Sequence, residues 1–292
     1  MSILVTGSTG TIGSQVLNQL AGSGVEVRGL TRSPNKAQFP AGVIAAPGDL
    51  ADVDSVRAAL KDVSTLFLLV PNVADELTQA MQALTVARES GVKGIVYLSV
   101  YKGDVYADVP HFASKNTVER MIEALDLPAT ALRPAYFIQN DLRQKDPLLS
   151  VGVYGMPVGG KGISMVDIRD IAEAAALELL RRERAAKSLP RETYALVGPD
   201  VLTGDDVAGI WSDALGRQIR YGGNDTTALE KRMKTMVPAW HALDLRLMLD
   251  RYQADGASAT ADDVGRLTRL LGHAPRSYRN FARDAAAQWI KH

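Results

Sequence analysis

The run Thr6-Gly7-Ser8-Thr9-Gly10-Thr11-Ile12-Gly13 does most to limit what this chain can become. It lies between a short β-branched apolar stretch, Ile3 to Thr6, and a segment in which Ile12, Val16, Leu17 and Leu20 recur at helical spacing. Strand, glycine turn and helix thus follow one another directly. Each glycine has a physical task. Gly7 permits a tight turn off the strand, Gly10 lets the backbone be approached closely, and Gly13 lets the helix pack near the strand. The helix head offers unpaired N–H groups and the positive end of a dipole, which suits a phosphate.

The same alternation continues. Strand-like Val25 to Leu30, helical Val53 to Leu60, strand-like Thr65 to Val70, helical Glu76 to Ser90 and strand-like Gly94 to Val100 follow in order. Helical Ser114 to Leu125 and strand-like Ala129 to Leu132 extend the series. Strands separated by helices at this spacing require right-handed crossovers and a parallel sheet. The unbroken apolar run Phe67 to Val70 fits a central strand covered on both faces. After Arg133 the pattern loosens. Val151 to Gly162 is glycine-rich, Asp167 to Arg182 is helical, Tyr194 to Val197 is strand-like, and Thr203 to Leu215 opens a mainly helical remainder. The expected fold class is α/β, a doubly wound parallel sheet of the Rossmann type with a smaller, mostly helical C-terminal substrate lobe. Residues 1–135 plus 166–190 form the nucleotide-binding part, and residues 136–165 plus 191–292 form the lobe.

In that setting the glycine turn reads as a pyrophosphate cradle built from Gly7, Ser8, Thr9, Gly10, Thr11, Ile12 and Gly13. The end of the second strand selects between dinucleotides, an acid bonding the ribose hydroxyls and an Arg accepting a 2′-phosphate. Here it reads Thr31-Arg32-Ser33-Pro34, without an acid. The planar fork of Arg32, with hydroxyls on both sides of it, predicts NADP(H) as cofactor. Asp49 and Leu50, closing the third strand, resemble the acid and apolar pair that touches adenine in such folds.

The spacing GxxGxxG, together with GDL at 48–50, GVKGIVYLSV at 91–100, LRPAYFIQN at 132–140 and DIRDIAEAA at 167–175, resembles the NmrA-like members of the atypical short-chain dehydrogenases/reductases. The resemblance covers roughly the first 180 residues. It implies a pyridine dinucleotide in an extended cleft with its nicotinamide near the ends of the fourth and fifth strands, which adds Val70 and Pro71 to the cofactor set. It does not imply one substrate. The family includes quinone, azo-dye and triphenylmethane-dye reductases, isoflavone-type reductases, and regulators that bind the cofactor without turning it over.

The usual Tyr-x-x-x-Lys of short-chain dehydrogenases uses a nearby ammonium to ease proton transfer from a phenol. This chain departs from it, with His111 where Tyr is expected and Lys115 four residues on. The two share a helix face if the helix has begun by residue 111. Either can complete a protonation, His111 because an imidazole titrates near neutrality, and Lys115 because KxxxER, with Glu119 and Arg120, is similar to the isoflavone-reductase branch; Lys115 alternatively binds the cofactor by bonding the nicotinamide ribose. Ser99 occupies the family's substrate-binding serine position. Tyr101, Tyr106 and above all Tyr136, which follows the sixth strand directly, are alternative acids or stacking residues.

Apolar residues make up 46% of the chain and charged residues 23%, and Lys+Arg and Asp+Glu are each 33. Such a balance argues against nucleic acid, and no apolar run reaches bilayer length, so the expected partner is a small-molecule substrate and not a membrane. The absence of cysteine removes disulfides, thiolate metal sites and a cysteine nucleophile. His241 and His273 lack companion ligands at metal spacing, so no metal is expected. Met233 to Met248, with Trp240 among them, could line an apolar pocket or join the core. A start that enters a strand directly suggests a cytoplasmic protein, monomer or homodimer. These features converge on an NADPH-dependent reductase of a small, largely apolar carbonyl, quinone, imine or conjugated acceptor. The alternative is an NADP(H)-sensing regulator of NmrA type without turnover. Nucleotide-sugar epimerases and dehydratases lean on the tyrosine this chain lacks.

Overall fold

The computed structural model describes residues 2–290. The elements run β1 (Ser2–Val5), α1 (Thr11–Leu20), β2 (Glu26–Thr31), β3 (Val43–Pro47), α2 (Val53–Ala59), β4 (Thr65–Leu68), α3 (Glu76–Glu89), β5 (Gly94–Leu98), α4 (Pro110–Ala124) and β6 (Ala129–Pro134). A 3₁₀ segment (Ile138–Gln144) leads to α5 (Lys145–Ser150), β7 (Val153–Tyr154), α6 (Ile168–Arg184), β8 (Glu192–Leu196), α7 (Gly204–Leu215) and β9 (Arg220–Tyr221). Among the described residues four helices follow: α8 (Thr226–Met233), α9 (Ala239–Asp255), α10 (Ala261–Leu271) and α11 (Tyr278–Ile290).

The main sheet has the order β3-β2-β1-β4-β5-β6-β8, and the registered pairs from β3 to β6 are parallel. Chain order reverses between β1 and β4, and in open α/β sheets the ligand crevice lies beyond the carboxyl ends of the strands at such a point. The alternation of strand and helix in the sequence is therefore realised as a doubly wound sheet with a largely helical C-terminal region. Every residue of β1, β4 and β5 is buried, as their unbroken apolar runs require. Leu4, Leu66, Leu68, Ile95 and Tyr97 pack with Leu84 and Ala87 of α3 and with Val118 and Ile122 of α4 into one core. At the amino ends of the strands, buried polar side chains satisfy one another. Glu183 accepts from Ser64 and Thr65, and Thr130 donates to Glu178 while accepting from Arg182.

The chain divides into two compact units. Unit one comprises Met1–Gly103, Ala113–Arg133 and Arg169–Tyr194, and unit two comprises Asp104–Phe112, Pro134–Ile168 and Ala195–His292. Composition does not announce the segment Asp104–Phe112, which lies inside the expected nucleotide-binding residues 1–135. Helix α4 begins at Pro110, four residues before the expected Ser114. Proline suits a first helical position because its missing N–H would be an orphan there anyway, and the early start places His111 in the first turn. Thr203 caps α7 through a reciprocal box with Asp206, whose carboxyl these hydrogen bonds hold below its usual range.

Candidate active site

Within unit one, β1 ends in a turn that its own packing dictates. Thr6 Oγ1 donates to Leu69 O (2.8 Å) and accepts from Leu69 N–H, locking the turn to the end of β4. Ser8 is fully buried, its hydroxyl donating to Leu30 O on β2 at 2.6 Å. Gly7 has φ +60°, and a Cβ there would meet Leu69 Cδ2 at 2.5 Å. A Cβ on Gly13 would lie 2.1 Å from Gly7 O, so α1 can approach the turn only with glycine at that position. Gly10 differs. Its backbone is extended (φ −83°, ψ 174°), it is exposed, and a Cβ would meet only Gly7 O at 3.3 Å. The chain's packing gives little reason for glycine at position 10, whereas the close approach of a ligand does.

Gly10 is the N-cap of α1 and supplies no side-chain cap, and the first turn carries no acid. The first intrahelical bond runs from Ser14 N–H to Gly10 O, so the N–H groups of Thr11, Ile12 and Gly13 precede the ladder. Thr9 and Thr11 are exposed beside them, whereas Ile12 is buried. A helix head of this kind is suited to an anion.

The other residues expected at the cofactor also lie in unit one. Arg32, just past β2, is exposed and makes no ion pair among the described residues. Thr31 is buried and accepts from Ser33 N–H through Oγ1. Asp49 Oδ1 accepts from Ala51 N–H (3.1 Å), and Leu50 is buried in the core beneath. Beyond β4, Val70 is buried in that core and Pro71 is exposed.

The carboxyl ends of β4, β5 and β6 carry a second set of polar groups in unit one. Lys115 Nζ lies 2.6 Å from Oε1 of Glu76, which opens α3, and both side chains are mostly buried. Ser99, just past β5, donates its hydroxyl to Glu119, which also receives Arg133 at 2.6 Å. Ser99 and Glu119 are buried, so the serine hydroxyl orders the Glu119–Arg133 pair. The Tyr97 phenol is pushed up by burial first and then by the carboxylates of Glu76 and Glu119.

In unit two, His111 Nδ1 lies 2.5 Å from Asp244 Oδ2, an ion-pair contact rather than an aligned hydrogen bond, while His111 N–H donates to Asp244 Oδ1 at 3.0 Å. Tyr136, an expected catalytic candidate, is buried with its hydroxyl donating to Asp141 Oδ1 at 2.9 Å. Tyr154 and Tyr278 donate to the other oxygen of the same carboxylate. Burial raises Asp141 to about 6 against the pull of these three phenols. Tyr136 thus serves an interior cluster. The Tyr106 hydroxyl donates to Gly256 O, and burial raises its pKa to about 12. In the apolar C-terminal segment Met248 is buried, but Met236, Trp240 and Leu243 are exposed, with His241 stacked on Trp240 at 5.2 Å.

Sequence reasoning missed Asp244 and Glu76 and gave Glu119 no task. Each is an acid on a helix's buried stripe: Asp244 with Met248 and Tyr252, Glu76 with Ala80 and Ala83, Glu119 with Val118 and Ile122. An acid at a position where helical periodicity calls for an apolar residue was the available signal.

A parallel sheet whose switch point holds a glycine-lined, uncapped helix head defines a dinucleotide-binding fold. The model of the NmrA-like family matches residues 1–264. The chain belongs to that family. It is 29% identical over 291 residues to an NAD(P)H azoreductase of Xenophilus azovorans, covering 98% of both proteins. A nucleoside-diphosphate-sugar epimerase structure from Staphylococcus aureus superposes with a TM-score of 0.86 at 18% identity, over 97% of this chain and 100% of the other. An NADPH-dependent quinone oxidoreductase from Escherichia coli, solved with NADPH, superposes with a TM-score of 0.84 at 23% identity, over 99% of each chain. Among the described residues no helix is long and apolar enough to cross a membrane.

Proposed function

We propose that this protein is an NADPH-dependent reductase that passes hydride to a small, largely apolar acceptor of the quinone, azo, imine or carbonyl kind. The observation that carries the reading is Gly10, a glycine the chain barely needs, placed on an uncapped helix head at the sheet's switch point. The residues fit the coenzyme. The backbone N–H groups of Thr11, Ile12 and Gly13, flanked by Thr9 and Gly10, would hold the pyrophosphate, Arg32 would bind the 2′-phosphate with a guanidinium that no acid pairs among the described residues, and Asp49 and Leu50 would meet the adenine. Val70 and Pro71 border the crevice beyond β4. The likeness to an azoreductase over nearly the whole chain supports the acceptor class.

The reduced nicotinamide supplies the hydride. The chain contributes orientation and a proton. Lys115 and His111 are the two donors, each with a carboxylate partner, Glu76 for the ammonium and Asp244 for the imidazole. Ser99 and Tyr136 act by position, since their hydroxyls are already spent on Glu119 and Asp141. Epimerase chemistry is disfavoured because His111 stands in place of the tyrosine on which it leans.

The test follows NADPH absorbance with purified protein against quinones, azo dyes, triphenylmethane dyes, imines and aldehydes, repeated with Lys115→Ala and His111→Ala. We expect turnover with at least one acceptor class and a loss of about 100-fold or more in kcat for the variant lacking the proton donor. The second reading, an NADP(H) sensor, draws on the missing tyrosine and on the internal use of Ser99 and Tyr136. Binding without turnover across the panel establishes it and removes the first.

A further inference from the structure

We infer that Asp244 is the positioning residue of His111: it fixes the imidazole with Nδ1 toward its own carboxylate, so that Nε2 is the nitrogen that hands a proton to the acceptor. This inference rests on the reductase reading above.

The observations lie wholly within unit two. The segment Asp104–Phe112 is fastened to α9 at three successive points. The Tyr106 hydroxyl donates to Gly256 O just past the end of α9, Arg251 pairs with Asp108 at 2.8 Å, and Asp244 engages His111. Asp244 is 2% exposed, and a carboxylate buried so fully destabilises the fold unless its charge is met. Both of its oxygens meet the same residue, Oδ1 through the backbone N–H and Oδ2 through the ring. The first contact alone is a helix cap supplied from another element, satisfying one orphan donor in the first turn of α4. A cap needs one oxygen, and any short polar side chain supplies it. The second oxygen on the imidazole serves no capping purpose. Phe112 closes a further side of the ring, edge-on at 4.5 Å between centroids.

A buried carboxylate beside Nδ1 favours the proton on that nitrogen, which fixes the tautomer of the neutral ring, the task a buried carboxylate performs for a catalytic imidazole in hydrolases. In the reduction, the acceptor gains a hydride with its two electrons from the reduced coenzyme and one proton from Nε2–H of the imidazolium. The ring is left neutral with its proton on Nδ1, and water restores the proton on Nε2.

The experiment uses the full chain and two readouts. Nitrogen-15 spectra of the His111 ring, assigned through His111→Gln and recorded on the alkaline side of its titration, report which nitrogen bears the proton. Steady-state kinetics with NADPH and an acceptor that turns over report kcat and KM separately. Asp244→Asn keeps an oxygen for the backbone N–H, so the cap survives while the charge beside Nδ1 is lost. The expected results are an Nδ1-protonated ring in the unmodified protein, a shift toward the Nε2-protonated form in Asp244→Asn, and a kcat lower by about 100-fold with KM for NADPH within about twofold. An Nε2-protonated ring in the unmodified protein overturns the inference without reference to any variant. A kcat unchanged in a folded Asp244→Asn protein overturns it as well, and leaves Asp244 as a cap. If no acceptor turns over while the ring is Nδ1-protonated, the reductase reading fails and the proton-transfer role goes with it, but the hold on the ring stands.

Discussion

Replacing Gly10 by alanine separates what the fold needs from what a diphosphate needs. The added Cβ would meet only Gly7 O, at 3.3 Å, in an exposed stretch of extended backbone. A shift of a few tenths of an ångström relieves that contact, and glycine to alanine at an N-cap costs at most about 1 kcal/mol. In the proposed complex the same methyl would stand in the approach of a pyrophosphate to the N–H groups of Thr11, Ile12 and Gly13. Displacing the phosphate from one or two of those donors forfeits hydrogen bonds to a charged group, each contributing about 1.5–3 kcal/mol. A loss of about 2–4 kcal/mol weakens NADPH roughly 30- to 1000-fold. Isothermal calorimetry of the folded variant, with its melting temperature within a few degrees of the parent, checks this. Gly13→Ala is the contrasting substitution, because its Cβ would lie 2.1 Å from Gly7 O, and it should destabilise the fold itself. An unchanged NADPH affinity in Gly10→Ala would refute the reasoning, since the cradle would then not be where the coenzyme sits.

Further expectations concern charge. Arg32→Ala should weaken NADPH about 10- to 150-fold while leaving NADH unchanged, because the loss falls on the 2′-phosphate, and parallel titrations of the two coenzymes measure it. Asp141, raised by burial to about 6 from an ordinary 3.8, holds its proton more tightly in the folded chain than in the unfolded one. Its contribution to stability is therefore fully present below about pH 4 and lost as pH rises through about 6, a fall of about 3 kcal/mol. Denaturation of the parent and Asp141→Asn across that window should show this fall in the parent and its absence in the variant.

The sequence made the nucleotide-binding half readable because its signals are local. Glycines at 7, 10 and 13, apolar runs of strand length and helical periodicity each act over a few residues, and backbone sterics leave them little alternative. The structure puts distances on the separate tasks the sequence assigns to these glycines: a Cβ on Gly7 or Gly13 would meet packed atoms at 2.5 or 2.1 Å, whereas one on Gly10 would meet only Gly7 O, at 3.3 Å. The polar site was less readable because its partners are distant. His111 and Asp244 are 133 positions apart, and nothing near either residue announces the other. Hydroxyls at Ser99 and Tyr136 looked available because burial is a property of the folded chain, and the carboxylates that engage them, Glu119 and Asp141, lie on other turns of the backbone. The early start of α4 was hidden because Pro110 reads as a helix breaker until it is seen in a first helical position.

The central claim is that the head of α1 and Arg32 together hold a phosphorylated nicotinamide dinucleotide. Calorimetric titration of the purified chain with NADPH and with NADH, at one salt concentration, tests it most directly. The account predicts one coenzyme per chain, with NADPH bound at least about tenfold more tightly than NADH. Absence of binding by either coenzyme, or a preference for NADH, would contradict it.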